Sequence, residues 1–368
     1  MKSEKIRIGM IGVGQISKHH LDQYSKIAGA EIVAAADINE KELSRVAEQH
    51  KIARTFRNFR DLLKCGDVDA VDVCLHNNLH APVTIAALEA GKHVYCEKPM
   101  AGAYRDAKAM LTAAKRCKRK LSIQLSTIFT KETKVAKRLI EDGRLGEVYH
   151  ARSTGYRRRG RPFVDGYGTA SFVKKEVASG GALYDVGVYH IAQMLYLLGL
   201  PDVKRVSGKI YQKTSMDARR RKISGYNVEE LGLGFVRFAG ELTMDIIESW
   251  AIHMNQFEGS SIVGSAGGLR LQPFSFHTTL SDVEMDSTFD INSADWRWHQ
   301  VNDNEDAYDS PQHHWIAALQ GKVPLLPTAE IALRTMLISE GIYLSDKLGR
   351  EVTADEVEHA SKSTALKL

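Results

Sequence analysis

Ile6-Arg7-Ile8-Gly9-Met10-Ile11-Gly12-Val13-Gly14-Gln15-Ile16-Ser17 is the stretch that decides the fold. Residues 6–11 read as a short buried strand, and an amphipathic stretch begins right after the glycines. Strand, Gly-x-Gly turn and helix, in that order, form a dinucleotide-binding fingerprint. Gly12 permits the tight turn, and Gly14 lets the backbone approach a pyrophosphate. The new helix, opening at Gln15 and Ile16, directs its free N–H groups and its dipole at that anion. Ser17 stands where a third glycine would and is small enough for close helix–strand packing. The next strand, Glu31-Ile32-Val33-Ala34-Ala35-Ala36, ends in Asp37. That is the spacing at which a carboxylate accepts hydrogen bonds from an adenosine ribose. The competing local reading of Asp37 is a cap for the helix that starts near Glu40. Asp37 would repel a 2′-phosphate, and Ile38 and Asn39 bring no cation. NAD is therefore favoured over NADP, with Lys41 and Arg45 the nearby cations that oppose this preference.

A second signal is Glu97-Lys98-Pro99, at the end of the apolar run His93-Val94-Tyr95-Cys96. A buried strand has no structural use for an ion pair at its tip. In open α/β sheets, ligands gather beyond the carboxyl ends of the strands. Lys98 is thus an ammonium held where a ligand is expected, with Pro99 biasing it toward extended backbone. Glu97 is the expected counter-charge.

The 368 residues suggest two domains with sizeable cores, and 43% hydrophobic and 26% charged residues are ordinary for a globular protein. Cys65, Cys74, Cys96 and Cys117 show no paired metal spacing, and no metal is expected. No signal peptide or membrane-spanning run is read, so a reducing cytoplasm is the expected location. The net charge of +5 is modest. The runs Arg157-Arg158-Arg159-Gly160-Arg161 and Arg219-Arg220-Arg221-Lys222 lack the interleaved aromatics of a nucleic-acid surface, so neither nucleic acid nor membrane is an expected partner.

Strand and helix periods alternate from Lys5 to about Gln124, with strands read at 6–11, 31–36, 71–75, 93–96 and 121–125 and a helix from Pro82 to Ala90. Such alternation predicts a doubly wound parallel sheet. This places a dinucleotide-binding Rossmann domain at 1–126. Residues 127–368 then form a second domain, expected to bind substrate. A helix from Glu132 to Asp142-Gly143 leads into strand-rich sequence at Val203–Tyr211, Gly232–Phe238, Leu242–Ser249 and Ser260–Gly264, read as an open, mostly antiparallel sheet. Helices return from Ser310 to Lys347 and are expected to pack partly back on the first domain.

Gly180-Gly181 precedes a stretch with apolar residues at 183, 186, 191, 194 and 198, one stripe of a helix. Asp185 and Tyr189 fall one turn apart on one face, and His190 is rotated by about 100° from Tyr189. Gly187 inside this helix implies a close approach by another group. Tyr189 and His190 are two candidate acid/base residues side by side. The segment from Tyr156 to Ser179, with Arg158 among four arginines, is expected to rim a substrate pocket. His313-His314 reads either as reaching that pocket or as capping and packing the following helix, and without further ligands it is no metal site.

These motifs resemble the Gfo/Idh/MocA oxidoreductases (glucose-fructose oxidoreductase and inositol dehydrogenase among them). The likeness is carried by Gly12-x-Gly14, Asp37, Asn77-Asn78-Leu79-His80, Ala90 through Pro99 and Gly180-Gly181-Ala182-Leu183-Tyr184-Asp185-Val186-Gly187, and it extends over nearly the whole chain. It implies NAD(P)-dependent hydride transfer to or from a ring secondary alcohol of a sugar, glycoside or cyclitol, with a homodimer or homotetramer formed through the second sheet, which makes 127–368 the oligomerisation domain as well. Lys98 would stabilise a developing alkoxide. Tyr189 or His190 would take the proton, although Lys98 could itself serve as base. Asp185 would orient a substrate hydroxyl or the base. Asn77 and His80 would line the nicotinamide half of the cofactor site, Glu97 and Lys98 would also contact the cofactor, and Lys98, Tyr156, Arg158, Asp185 and His190 would bind the substrate. Two departures stand out: Leu75-His76 replaces the usual Thr-Pro before Asn77, and Ser126-Thr127-Ile128 replaces an Asn and Arg. The family also implies two alternatives, an NAD-dependent glycosidase working through transient C3 oxidation and elimination, and a non-catalytic nucleotide-sensing regulator.

Overall fold

The computed structural model describes residues 5–368. The first half runs β1 (Ile6–Ile11), α1 (Gln15–Tyr24), β2 (Ala30–Ala36), α2 (Glu40–His50), β3 (Arg54–Phe56), α3 (Phe59–Leu63), β4 (Ala70–Val73), α4 (Asn77–Glu89), β5 (His93–Cys96), α5 (Tyr104–Cys117) and β6 (Leu121–Ile123). All six strands are parallel, in the order β3-β2-β1-β4-β5-β6. That is a Rossmann sheet, with its switch point between β1 and β4. Both faces of β1 are buried. Ile8 and Met10 enter a core with Trp315 and Ile316, while Ile11 joins the other, larger core. The sequence therefore reads as a continuous apolar run rather than an alternating one.

The second half runs α6 (Lys131–Glu141), β7 (Val148–Tyr156), α7 (Lys175–Ala178), a π-turn (Leu183–Gly187), α8 (Val188–Leu197), β8 (Val203–Tyr211), α9 (Ala218–Ser224), β9 (Leu231–Phe238), β10 (Thr243–Ser249), β11 (Ser261–Gly264), β12 (Gly268–Leu271), β13 (Phe274–Leu280), β14 (Val283–Ser287), α10 (Ile291–Val301), α11 (Pro311–Leu319), α12 (Thr328–Leu348), β15 (Val352–Thr353) and α13 (Ala354–Ala360). Nine strands form one sheet, antiparallel throughout except where β7 runs parallel to β10. α11 and α12 return to the first domain. Trp315 packs against Tyr95, and Thr328 Oγ1 accepts the Ile123 N–H at 3.0 Å.

Several boundaries differ from the sequence reading. β3 is three residues long and carries Arg54, too short for periodicity to register. The hairpins β12–β14 and helix α10 were also unread. α4 begins at Asn77, five residues before Pro82, and so contains the proline. Proline leaves the carbonyl four residues earlier without its helical partner. Here that carbonyl belongs to Asn78, and the Leu366 N–H bonds to it at 3.0 Å. The chain's last residues thus repair the defect that Pro82 makes.

Candidate active site

Gly12 lies at φ +89°, and a Cβ there would stand 2.3 Å from the Cys74 carbonyl oxygen, so only glycine allows β1 and β4 to approach at the switch point. Gly14 faces open space. Asp37 Oδ2 accepts the Val13 N–H and Oδ1 the Asn39 N–H, each at 2.8 Å, tying the end of β2 to the glycine turn. The cap of α2 is Asn39, not Asp37. A cleft of about 900 Å³ opens over these groups, walled by Gly12, Gly14, Gln15, Ile16, Asp37 and Ile38 from one domain and by Tyr167, Phe172 and Asp185 from the other. Ile16, Ile38, Tyr167 and Phe172 are all large and exposed, Ile38 by 84%. An open glycine cradle, a helix N-terminus, a carboxylate at the ribose position and an uncovered apolar rim fit a dinucleotide. Arg45 is engaged by Glu42 at 2.9 Å through two nitrogens, and Lys18 also bonds Glu42 at 2.9 Å, so Glu42 engages one cation from α1 and one from α2.

Lys98 reaches across the domain boundary. Its Nζ lies 2.9 Å from Asp185 Oδ1 and 3.0 Å from the Asp185 carbonyl oxygen. Asp185 lies in the π-turn, which the sequence reading took for ordinary helix, and its carbonyl meets the ammonium there. Burial penalises the charge on Lys98, but Asp185, Tyr189 and Glu97 outweigh it and hold the ammonium well above the ordinary lysine range. The Lys98 ammonium is thus engaged by Asp185 and stabilised in its charged form, which favours the alkoxide-stabilising reading of Lys98 over the free amine base. Glu97 as the ammonium's holder is corrected, because Asp185 fills that place. Glu97 Oε1 lies 2.8 Å from His20 Nε2, and Oε2 accepts the Lys98 backbone N–H at 2.9 Å.

Burial pushes the Asp185 carboxyl up, yet Lys98, Arg157 and the Trp250 indole bring it below the usual carboxylate range. Trp250 Nε1 donates to Oδ2 at 2.8 Å and Arg157 Nη1 stands 3.5 Å away. The arginine beside the Asp185 carboxylate is thus Arg157 and not Arg158, although both are exposed. Arg161, with no exposed surface, is spent on Asp165 and Glu230. Tyr156 donates its hydroxyl to the Asn255 carbonyl at 3.1 Å.

Tyr189 and His190 part company. The Lys98 ammonium sits 4.6 Å from the Tyr189 ring centroid. Burial raises the phenol above its ordinary value, and Lys98 opposes this. His190 turns away, its Nδ1 lying 3.0 Å from Oε2 of the fully buried Glu248. Burial disfavours its charge, but Glu248 wins and raises it. Gly187 makes room for the Glu248 side chain, since a Cβ there would lie 3.0 Å from Glu248 Cγ.

Asn77 and His80 lie in the first turn of α4 rather than in a loop. Asn77 Nδ2 donates to the Ala178 carbonyl at 2.8 Å, a contact between the domains. His80 is wholly buried, with its nitrogens 2.8 Å from the Pro99 carbonyl and 3.0 Å from that of Leu75. The ring braces the loops after β4 and β5 and does not line the cleft. His313 bonds the helix-capping Ser310, and His314 Nε2 accepts the Leu326 N–H at 2.9 Å; of the two readings, capping and packing is the one seen.

Sequence reasoning missed His20. It is buried between Asp72 and Glu97, with 2.8 Å on either side, and Cys74 Sγ is 3.4 Å from its Nδ1. Burial opposes its charge, but Asp72 and Cys74 raise it well above the ordinary histidine value. His20 falls on the buried stripe of α1 with Ser17, Leu21 and Tyr24, a helical spacing that could have revealed it.

A Rossmann cleft closed by a second domain that delivers a carboxylate to a strand-end lysine defines a dinucleotide-dependent oxidoreductase. Comparison with known proteins supports the same class. Residues 6–125 match the family described as "Oxidoreductase family, NAD-binding Rossmann fold", and residues 133–270 match the GFO/IDH/MocA C-terminal domain. The chain belongs to the Gfo/Idh/MocA family and is an NAD-dependent oxidoreductase. It is 27% identical to D-glucoside 3-dehydrogenase of Escherichia coli over 360 residues, 96% of this chain and 98% of that one. Myo-inositol 2-dehydrogenase of Thermotoga maritima is 28% identical over 194 residues, 53% of this chain and 55% of the relative. Among solved structures, levoglucosan dehydrogenase in complex with NADH superimposes with a TM-score of 0.78 at 20% identity, over 95% of this chain and 99% of that one. An oxidoreductase domain protein from Kribbella flavida gives 0.80 at 20% identity, over 95% and 99%.

Proposed function

We propose that this protein oxidises a ring secondary alcohol of a sugar, glycoside or cyclitol with NAD. One observation carries the reading: Lys98 and Asp185, 87 residues apart, meet at 2.9 Å beside the dinucleotide cleft. The relatives named above, which act on a glucoside, on inositol and on levoglucosan, support the substrate class. Gly12, Gly14, Gln15 and Ile16 would hold the pyrophosphate of NAD and Asp37 its ribose, and the cofactor, when bound, would supply the acceptor for the carbinol hydride. The substrate oxygen lies between Lys98, whose charge stabilises the developing alkoxide, and Tyr189, whose oxygen, once deprotonated, takes the alcohol proton. Asp185 fixes the ammonium and accepts from a neighbouring hydroxyl. Arg157 reaches the same hydroxyl-rich face.

Four unpaired cysteines suit a cytoplasmic location, and the broad second sheet suits a homodimer or homotetramer. No helix among the described residues is long and apolar enough to cross a membrane. A non-catalytic regulator would have no need of the Lys98–Asp185 pair. The test is NADH absorbance with a panel of sugars, methyl glycosides and cyclitols. Turnover is expected with at least one class, and Lys98→Ala is expected to lower kcat by on the order of 10²–10³-fold, the scale of removing one oxyanion-stabilising donor. Undiminished turnover by that variant would overturn the assignment.

A further inference from the structure

A second pocket adjoins the reacting groups. It holds about 490 Å³, and its walls include Tyr156, Arg157, His190, Asn255, Gln256 and Phe257. Arg157 connects it to the site already described, since the same guanidinium stands 3.5 Å from Asp185 Oδ2. Val186, the next residue after Asp185, is also in its wall.

The pocket is built around the His190 ring. Glu248 is fully buried, and its two oxygens are both used: Oε1 accepts from Ser153 Oγ at 2.9 Å, and Oε2 faces His190 Nδ1 at 3.0 Å. With Nδ1 committed, Nε2 is the nitrogen left for a ligand. Gly155 supplies the space: a Cβ there would lie 2.0 Å from His190 Cε1. Opposite stand Tyr156 and Phe257, edge to face with centroids 5.2 Å apart, together with the amides of Asn255 and Gln256. Aromatic rings beside planar amides and an imidazole suit a ligand with apolar C–H faces and a rim of hydroxyls.

We infer that this pocket is a subsite for the group attached to the oxidised ring, so that the substrate is a glycoside or disaccharide rather than a free monosaccharide, with His190 as a binding residue that hydrogen-bonds the attached group. This rests on the sugar-oxidising reading above and divides the two neighbours: Tyr189 serves the reacting carbon, His190 the appended ring.

The test pairs two measurements. NADH formation is compared for glucose and for p-nitrophenyl β-D-glucopyranoside. Saturation-transfer NMR of the NADH-loaded enzyme then reads contact with the nitrophenyl protons directly. The glucoside is expected to be preferred at least tenfold in kcat/KM. His190→Ala is expected to lower its kcat/KM at least tenfold more than that of glucose, and to weaken the nitrophenyl saturation severalfold. Phe257→Ala, on the opposite wall, should act in the same direction and serves if the first variant does not fold. Equal losses for both sugars, or nitrophenyl protons that take no saturation, would overturn the subsite. Saturated nitrophenyl protons with no NADH from any sugar would instead sink the redox reading and leave the pocket standing.

Discussion

In the proposed mechanism Lys98 and Tyr189 act as one proton-exchanging unit. The ammonium sits 4.6 Å from the ring centroid, and both groups are pushed above their ordinary values, the lysine against burial by Asp185, Tyr189 and Glu97, the phenol by burial. A base able to take the alcohol proton appears only when the pair has lost one proton. The rate of alcohol oxidation at limiting substrate should therefore climb with pH across the alkaline range, by about tenfold per unit below the pair's apparent pKa. Tyr189→Phe removes the phenol and leaves the ring under the ammonium. It should lower kcat by about 10²-fold and change the shape of the profile, which a kcat/KM series from pH 6 to 10 would read. A profile identical to that of the parent would show that the phenol takes no part. His20 acts one step further back: it holds Glu97, which holds the Lys98 backbone. Removing one partner from a buried ionic group typically costs about 3–5 kcal/mol, so His20→Gln should be strongly destabilised in a urea titration. The sign with pH follows from the shifts. His20 is raised, so its contribution is full below about 6.5 and fades as pH rises through its folded value. Glu97 is lowered, burial being outweighed by His20, so its contribution is present above about 4.3 and is lost as pH falls through its folded value. The stability gap between parent and variant should thus be widest between those limits and narrow on the alkaline side.

At the scale of elements, most of the first domain was readable because β1, β4, β5 and β6 are largely buried and the turn after β1 needs a glycine at position 12. Gly12, Asp37 and Lys98 fall where their local sequence places them. The second half of the site was less readable for a physical reason. A π-turn differs from an α-helix by one residue in its hydrogen bonding, and Leu183–Gly187 carries the same apolar stripe either way. The sequence thus named Asp185 and Tyr189 but not the carbonyl that meets Lys98, nor the divergence of His190. Trp250 and Arg157 come from the ends of β10 and β7, and no spacing along the chain links them to Asp185. The start of α4 was masked by Pro82, whose cost is met by a distant segment. That arrangement carries its own prediction. Deleting residues 362–368 strips the Asn78 carbonyl of the Leu366 N–H and Asp106 of the Thr364 N–H, which bonds it at 2.9 Å. Leaving such groups unsatisfied costs about 1–3 kcal/mol each where water cannot replace the partner. The truncated chain should melt several degrees lower, and an unchanged melting temperature would mean that water serves as well as the tail.

On the scale of the whole molecule, the cofactor cleft belongs to neither domain alone. Gly14 and Asp37 wall one side, and Tyr167, Phe172 and Asp185 the other. A ligand filling it stabilises only the assembled pair, and at one hundred times its Kd the gain is about 2.7 kcal/mol. NAD should therefore raise the melting temperature of the whole chain in a single transition, by a few degrees. NADP at equal concentration should raise it less, because the Asp37 carboxylate faces the added phosphate. The preference is also held by a residue outside the cleft. Glu42 bonds both Arg45 and Lys18, which keeps two cations from turning toward a 2′-phosphate. Glu42→Ala frees them without touching Asp37, so the NADP-induced shift should grow while the NAD-induced shift stays close to its parent value. The Glu42 carboxyl lies far below the usual range, near 2, through its bonds to Arg45 and Lys18, so it holds these cations at every pH where the enzyme would be assayed. If the variant's NADP response matches the parent's, Asp37 alone sets the cofactor, and the cations on α1 and α2 are spectators.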